Sequence, residues 1–143
     1  MTLRTLAVLS TLCLMIGCSN LPKVTRTGEV KDIMIREQLE PIERTAAIGD
    51  EVRWINKRTA PVRIIFLDPV DDTFSCKNGF GGFMKKDGIA SLDPNETASA
   101  CFERAGFYRY TVRMKAASPT GEINASGVVR VGEVGTPNRG SRE

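Results

Sequence analysis

Beyond residue 29 the chain alternates apolar and polar residues with a period of two, the signature of half-buried strands. Residues 51–56 set Val52 and Trp54 against Arg53. Residues 62–67 put Val62, Ile64 and Phe66 on one face and Arg63, Ile65 and Leu67 on the other, apolar enough on both sides for a central strand. In residues 97–103, Ala98, Ala100 and Phe102 point inward and Ser99, Cys101 and Glu103 outward. In residues 107–114, Tyr108, Tyr110, Val112 and Met114 oppose Phe107, Arg109, Thr111 and Arg113. Residues 30–36, 42–48 and 125–131 are further strands on their β-branched content. Turn residues punctuate them: Gly49-Asp50, the polar loop 56–61, Asp93-Pro94-Asn95-Glu96 and Ala105-Gly106. A break falls at 37–41, residues 115–124 read as polar and irregular, and no helical period stands out except a turn around 36–40. The pattern predicts an all-β domain over residues 29–134, a sandwich or barrel of about seven or eight short strands, followed by a disordered tail at 135–143. An immunoglobulin-like sandwich satisfies the pattern equally well.

Residues 68–88 break the alternation. Phe74, Phe80 and Phe83 are interleaved with Gly79, Gly81 and Gly82, which suits a loop packing its own aromatics. Two readings stand: a recognition loop presenting Phe80 and Phe83, or a flap covering the sandwich.

The first residues follow a different pattern. Arg4 precedes an apolar run at 6–16, shorter than the roughly 20 residues needed to span a bilayer and matched to the core of a signal peptide. Met15-Ile16-Gly17-Cys18 resembles the lipobox of bacterial lipoproteins, with Met15 where leucine is usual. That resemblance implies removal of residues 1–17, acylation of Cys18 and a tether at 18–28 reaching roughly 15–20 Å. Ser19 next to it resembles the signal for outer-membrane sorting. The alternative is a secreted protein cut near Gly17.

Of the four cysteines, Cys13 leaves with the signal segment and Cys18 takes the lipid. Cys76 and Cys101 remain as an even pair in an oxidising compartment, so a disulfide is the expectation, contributing about 3–4 kcal/mol if unstrained. Two free thiols binding a soft metal are the alternative. The 143 residues, 41% apolar and 26% charged, accommodate one domain with a real core, and a formal charge of +3 leaves no strong nucleic-acid footprint. The chain has no histidine. Asp68, Asp71 and Asp72 read as a solvated acidic turn or a hard-cation site without EF-hand spacing. Met34, Met84 and Met114 read as core filler or as soft ligands. No catalytic constellation is present.

Gly49, Asp50, Val52, Trp54, Asn56 and Pro61 match one half of the cupredoxin pattern, and Leu92, Pro94, Glu96, Phe102, Gly106, Tyr108 and Tyr110 match the other. The chain thus resembles the cupredoxins, the small blue copper proteins, which implies a Greek-key β-sandwich. Their metal ligands do not carry over. Val62 stands where the resemblance puts a histidine, Val112 where it puts the cysteine, and Lys115 near the second histidine. Aliphatic side chains offer copper no lone pair, so no cofactor is expected.

The expected function is a lipid-anchored periplasmic binding or assembly module, not an enzyme, in the bacterial envelope at the outer membrane. Its partner is a periplasmic protein or an anionic envelope component, not nucleic acid. The alternative is an accessory protein for copper handling or electron transfer through Met and Cys ligands. The resemblance implies that the strand of Arg63 lies beside that of Arg109 and Arg113, so outward parity places these arginines, and Arg53 as a further candidate, on accessible surfaces that form either a basic docking face or a solvated face with local carboxylate partners.

Overall fold

The computed structural model describes residues 28–82, 85–116 and 121–132. The signal segment, Cys18, Phe83, Met84 and the tail lie outside these residues. The chain runs β1 (Val30–Ile35), β2 (Leu39–Glu40), β3 (Glu43–Ala47), β4 (Glu51–Asn56), β5 (Val62–Phe66), β6 (Phe74–Asn78), β7 (Phe80–Gly82), β8 (Lys85–Leu92), β9 (Thr97–Phe102), β10 (Gly106–Lys115) and β11 (Glu122–Gly132). Two mixed sheets result, β2-β1-β4-β9-β6 (sheet I) and β3-β11-β10-β5-β8-β7 (sheet II). The pairs β1–β4 and β3–β11 are parallel. The all-β sandwich predicted from the alternation is therefore what the chain forms.

The inward residues of both sheets make one core. Val52, Trp54, Ile64, Tyr110 and Val112 are completely buried. Trp54 meets Phe66, Phe80 and Tyr110 edge-on at centroid distances of 5.7, 5.3 and 5.6 Å, and Phe66 also meets Phe74, Phe80, Phe102 and Tyr110. Such pairs add about 0.5–1.5 kcal/mol each beyond the area they bury. Tyr110 reaches over its cross-strand neighbour Gly127, where any Cβ would lie 2.4 Å from the phenol oxygen. Burial pushes that phenol up to about 12, against a smaller downward pull from the Trp54 indole N–H.

The structure corrects the reading of residues 68–88. They contain β6, β7 and much of β8 rather than one irregular loop. The chain leaves sheet I after β6, turns at Gly79 and enters sheet II as β7. Gly79 has φ +76°, and a Cβ there would meet Ala98 Cβ at 3.0 Å, so glycine is needed for conformation and for space. Phe80 is only 5% exposed and stacks in the core, so it presents no ring to a partner. The glycines that read as loop punctuation instead mark a sheet change and an irregular edge pairing.

Three smaller corrections follow. β2 lies within the expected break at 37–41. β11 starts at Glu122 because ten residues of β10 hold it in register, extending the strand into a stretch that read as irregular. Although β5 is central, its outer face meets solvent, with Leu67 beyond its end 57% exposed.

Cys76 and Cys101 are joined by a disulfide between cross-strand partners on β6 and β9, at a sequence separation of 25. Cys101 faces away from the inter-sheet core, as its parity predicts, yet is fully buried beneath the bridge.

Candidate functional site

Asn56 organises the end of the sandwich where the cupredoxin pattern would hold a metal. Its buried side-chain amide donates to the carbonyls of Ala60, Leu92 and Asp93 at 3.0–3.1 Å, and its oxygen accepts from the Arg58 amide. Asn95, at φ +66°, donates its backbone N–H to the Asn56 carbonyl, and the Glu96 carboxylate accepts from the Asp93 N–H. The Arg58 guanidinium crosses the same end, donating to the Lys115 carbonyl at 2.8 Å and pairing with Glu37 at 3.0 Å. These bonds hold the loop before β5, the turn before β9 and the end of β10 together.

Within this end, Val62 is 3% exposed and Val112 fully buried, both directed into the core. Val62 is in register with Met114 and Leu92, and Val112 with Ile64 and Ala125. A blue copper site needs two imidazoles and a thiolate, and this aliphatic cluster does not fit one. Nor do the soft donors converge. Both described cysteines are in the disulfide, Met114 lies in the core, and Met34 lies on the outer side of sheet I between the inward Ile33 and Ile35.

The outer face of sheet II carries the predicted arginines. Arg63 and Arg113 are direct cross-strand partners, flanked in register by Ser91 on β8 and Asn124 on β11. Both arginines are exposed, and among the described residues neither has a carboxylate within ion-pair distance. A groove of about 410 Å³ runs beside them, lined by Pro61, Arg63, Ser91, Arg113, Lys115 and Glu122. Ser91 and Asn124 were not legible as members of this row, because parity gives each residue's face but not which strands pair or in what register.

Arg109 shares the face but is engaged. Its guanidinium binds Asp68 at 2.7 and 3.2 Å, and its backbone N–H donates to the same carboxylate at 2.7 Å. The Arg109 side chain, then its backbone N–H, holds the Asp68 carboxyl below the usual range. Arg53 is on the other sheet, paired with Asp32 through two bonds of 2.8 and 3.0 Å. Of the arginines expected on accessible surfaces, Arg109 and Arg53 have local carboxylate partners and Arg63 and Arg113 have none among the described residues.

A groove of similar size and mixed character adjoins this row, lined by Ile65, Leu67, Asp68, Pro69, Asp71 and Ile89 among others. Ile65 and Ile89 are register partners one step along from Arg63 and Ser91. Leu67 is a member that sequence reading had assigned to a buried face.

No protein-family model and no curated protein sequence matches the chain. Similar solved structures are cupredoxins. An oxidised amicyanin variant has a TM-score of 0.50 at 21% identity, covering 74% of this chain and 85% of its own. A copper(I) amicyanin variant has a TM-score of 0.47 at 21% identity, covering 72% and 82%. A purple cupredoxin from Nitrosopumilus maritimus has a TM-score of 0.46 at 17% identity, covering 71% and 99%. The likeness to the oxidised amicyanin variant, at 21% identity, shows a cupredoxin-like fold alone.

Proposed function

We propose that this chain is a binding or assembly module of a bacterial envelope, held to the outer membrane by lipid on Cys18 and working without copper or catalysis. The observation that carries the reading is the inside-out contrast on β5 and β10. Where the cupredoxin pattern has ligands, Val62 and Val112 fill the core, while one residue further on each strand Arg63 and Arg113 face solvent. Each buried valine adds roughly 1.5–3 kcal/mol relative to exposure, so the domain folds on its own packing rather than on a metal. Copper handling through Met and Cys ligands is disfavoured by the disulfide and by the separation of Met34 from Met114 across sheet I.

The test has two arms on protein isolated from cells. Cu(II) added at stoichiometric amounts is expected to produce no intense thiolate-to-copper band and no rise in thermal midpoint, since specific binding to the native state must stabilise it. Cys18→Ser is expected to release the protein from membranes or block its processing, because acyl chains contribute about 0.8 kcal/mol per buried CH₂. A copper band, or an unchanged mature mass in the membrane fraction of the variant, overturns the corresponding half of the reading.

A further inference from the structure

Two positively charged side chains directly opposite each other across antiparallel strands repel, which costs the sheet stability. Arg63 and Arg113 are such a pair, and no described carboxylate relieves them. The row Ser91–Arg63–Arg113–Asn124 spans β8, β5, β10 and β11, so it presents two guanidiniums between two neutral hydrogen-bonding side chains. Strands lie about 4.8 Å apart, and the two guanidinium forks can therefore converge on one carboxylate.

The next row on the same face is apolar on β8 and β5 and polar on β10 and β11, where Thr111 and Ser126 continue the register from Ile65. Ile65 and Ile89 follow Arg63 and Ser91 two residues along their strands, with exposed Leu67 beyond. Two residues of extended chain advance about 6.5–7 Å, which is also the spacing of side chains pointing the same way from an extended peptide. An acidic residue in one row and an apolar residue two positions later thus fit both grooves together.

We propose that this face docks an extended segment of a partner protein, whose acidic side chain sits between Arg63 and Arg113 and whose apolar side chain two positions on enters the Ile65–Leu67–Ile89 groove. The proposal deepens the binding-module reading and rests on it. The alternative occupant is an anionic lipid surface, which is recognised through clusters of roughly four to eight basic residues. This groove has Arg63, Arg113 and Lys115 with Glu122 among them, and the Arg109 charge is offset by Asp68. An isolated small anion would leave the Ile65–Leu67–Ile89 groove without a role.

The experiment measures fluorescence anisotropy of short labelled peptides, Glu-x-Leu against Lys-x-Leu and Glu-x-Ser, with the full-length protein isolated from cells. Sedimentation with phosphatidylcholine and phosphatidylglycerol vesicles runs alongside. The Glu-x-Leu peptide is expected to bind best, to weaken with salt, and to lose about ten-fold or more in affinity in Arg63→Glu/Arg113→Glu, the loss of at least one charge-assisted pair. The Arg63→Lys/Arg113→Lys variant keeps the charge but loses the planar forks, and a several-fold loss there carries the result if the reversal does not fold. Equal binding of all three peptides, binding unchanged in the variants, absence of peptide binding, or capture by phosphatidylglycerol vesicles alone overturns the proposal. Peptide failure without copper binding leaves the binding-module reading standing, whereas a copper site removes that reading whatever the peptides do.

Discussion

The outer faces of the two sheets obey the same parity rule and reach opposite electrostatic outcomes. On sheet I, the parallel register of β1 and β4 sets Arg53 beside Asp32, and the pair closes through two hydrogen bonds. The same sheet carries the Cys76–Cys101 disulfide at its β6 edge. On sheet II, the antiparallel register of β5 and β10 sets Arg63 opposite Arg113, and Leu67 stands exposed nearby. One face satisfies itself. The other pairs Arg109 with Asp68 and Arg130 with Glu43 but leaves Arg63 and Arg113 without an ion-pair partner among the described residues, near exposed Leu67.

The largest expected break in this contrast is on sheet I. Replacing both Cys76 and Cys101 with alanine should lower unfolding free energy by about 3 kcal/mol, from the loop of 25 residues that the bridge closes. Urea denaturation measures it. A loss below about 1 kcal/mol would mean that β6 is held by pairing alone and that sheet I owes little to its bridge.

The second test separates stability from binding on sheet II. Arg63→Glu places an acid opposite Arg113, so the domain should become more stable by about 0.2–1 kcal/mol while docking of acidic segments is lost. A destabilised but binding-competent variant would show that the arginine pair is structural.

The smallest effect concerns Arg109, an arginine of sheet II that is paired with a carboxylate as Arg53 is on sheet I. Arg109 lowers the Asp68 pKa in the folded state, so the pair's contribution is present above the unfolded carboxylate value, near pH 4, and is lost as pH falls through the folded value. Asp68→Asn should therefore be slightly less stable than the parent at neutral pH and indistinguishable from it in strong acid. A difference that persists undiminished in acid would assign the effect to the backbone turn rather than to the charge.

Much of this molecule was legible in the chain. Period-two alternation identified the inward residues of β4, β5 and β10, because burying one face of a sheet forces every second side chain into the core. Leftover-cysteine counting paired Cys76 with Cys101, and parity turned Val62 and Val112 toward the core. Three things waited for the tertiary structure. Residues 74–78, 80–82 and 85–92 became strands because Gly79 lets the chain change sheets and because edge strands with one wet side lack a strong pattern. Phe80 went into the core against Trp54 rather than to the surface, since aromatic burial outweighs the loop character of its glycine neighbours. The arginines were sorted by register alone. Alternation places a charge on a face, but only strand pairing over long sequence separations decides whether Asp32, Asp68 or another arginine stands across from it.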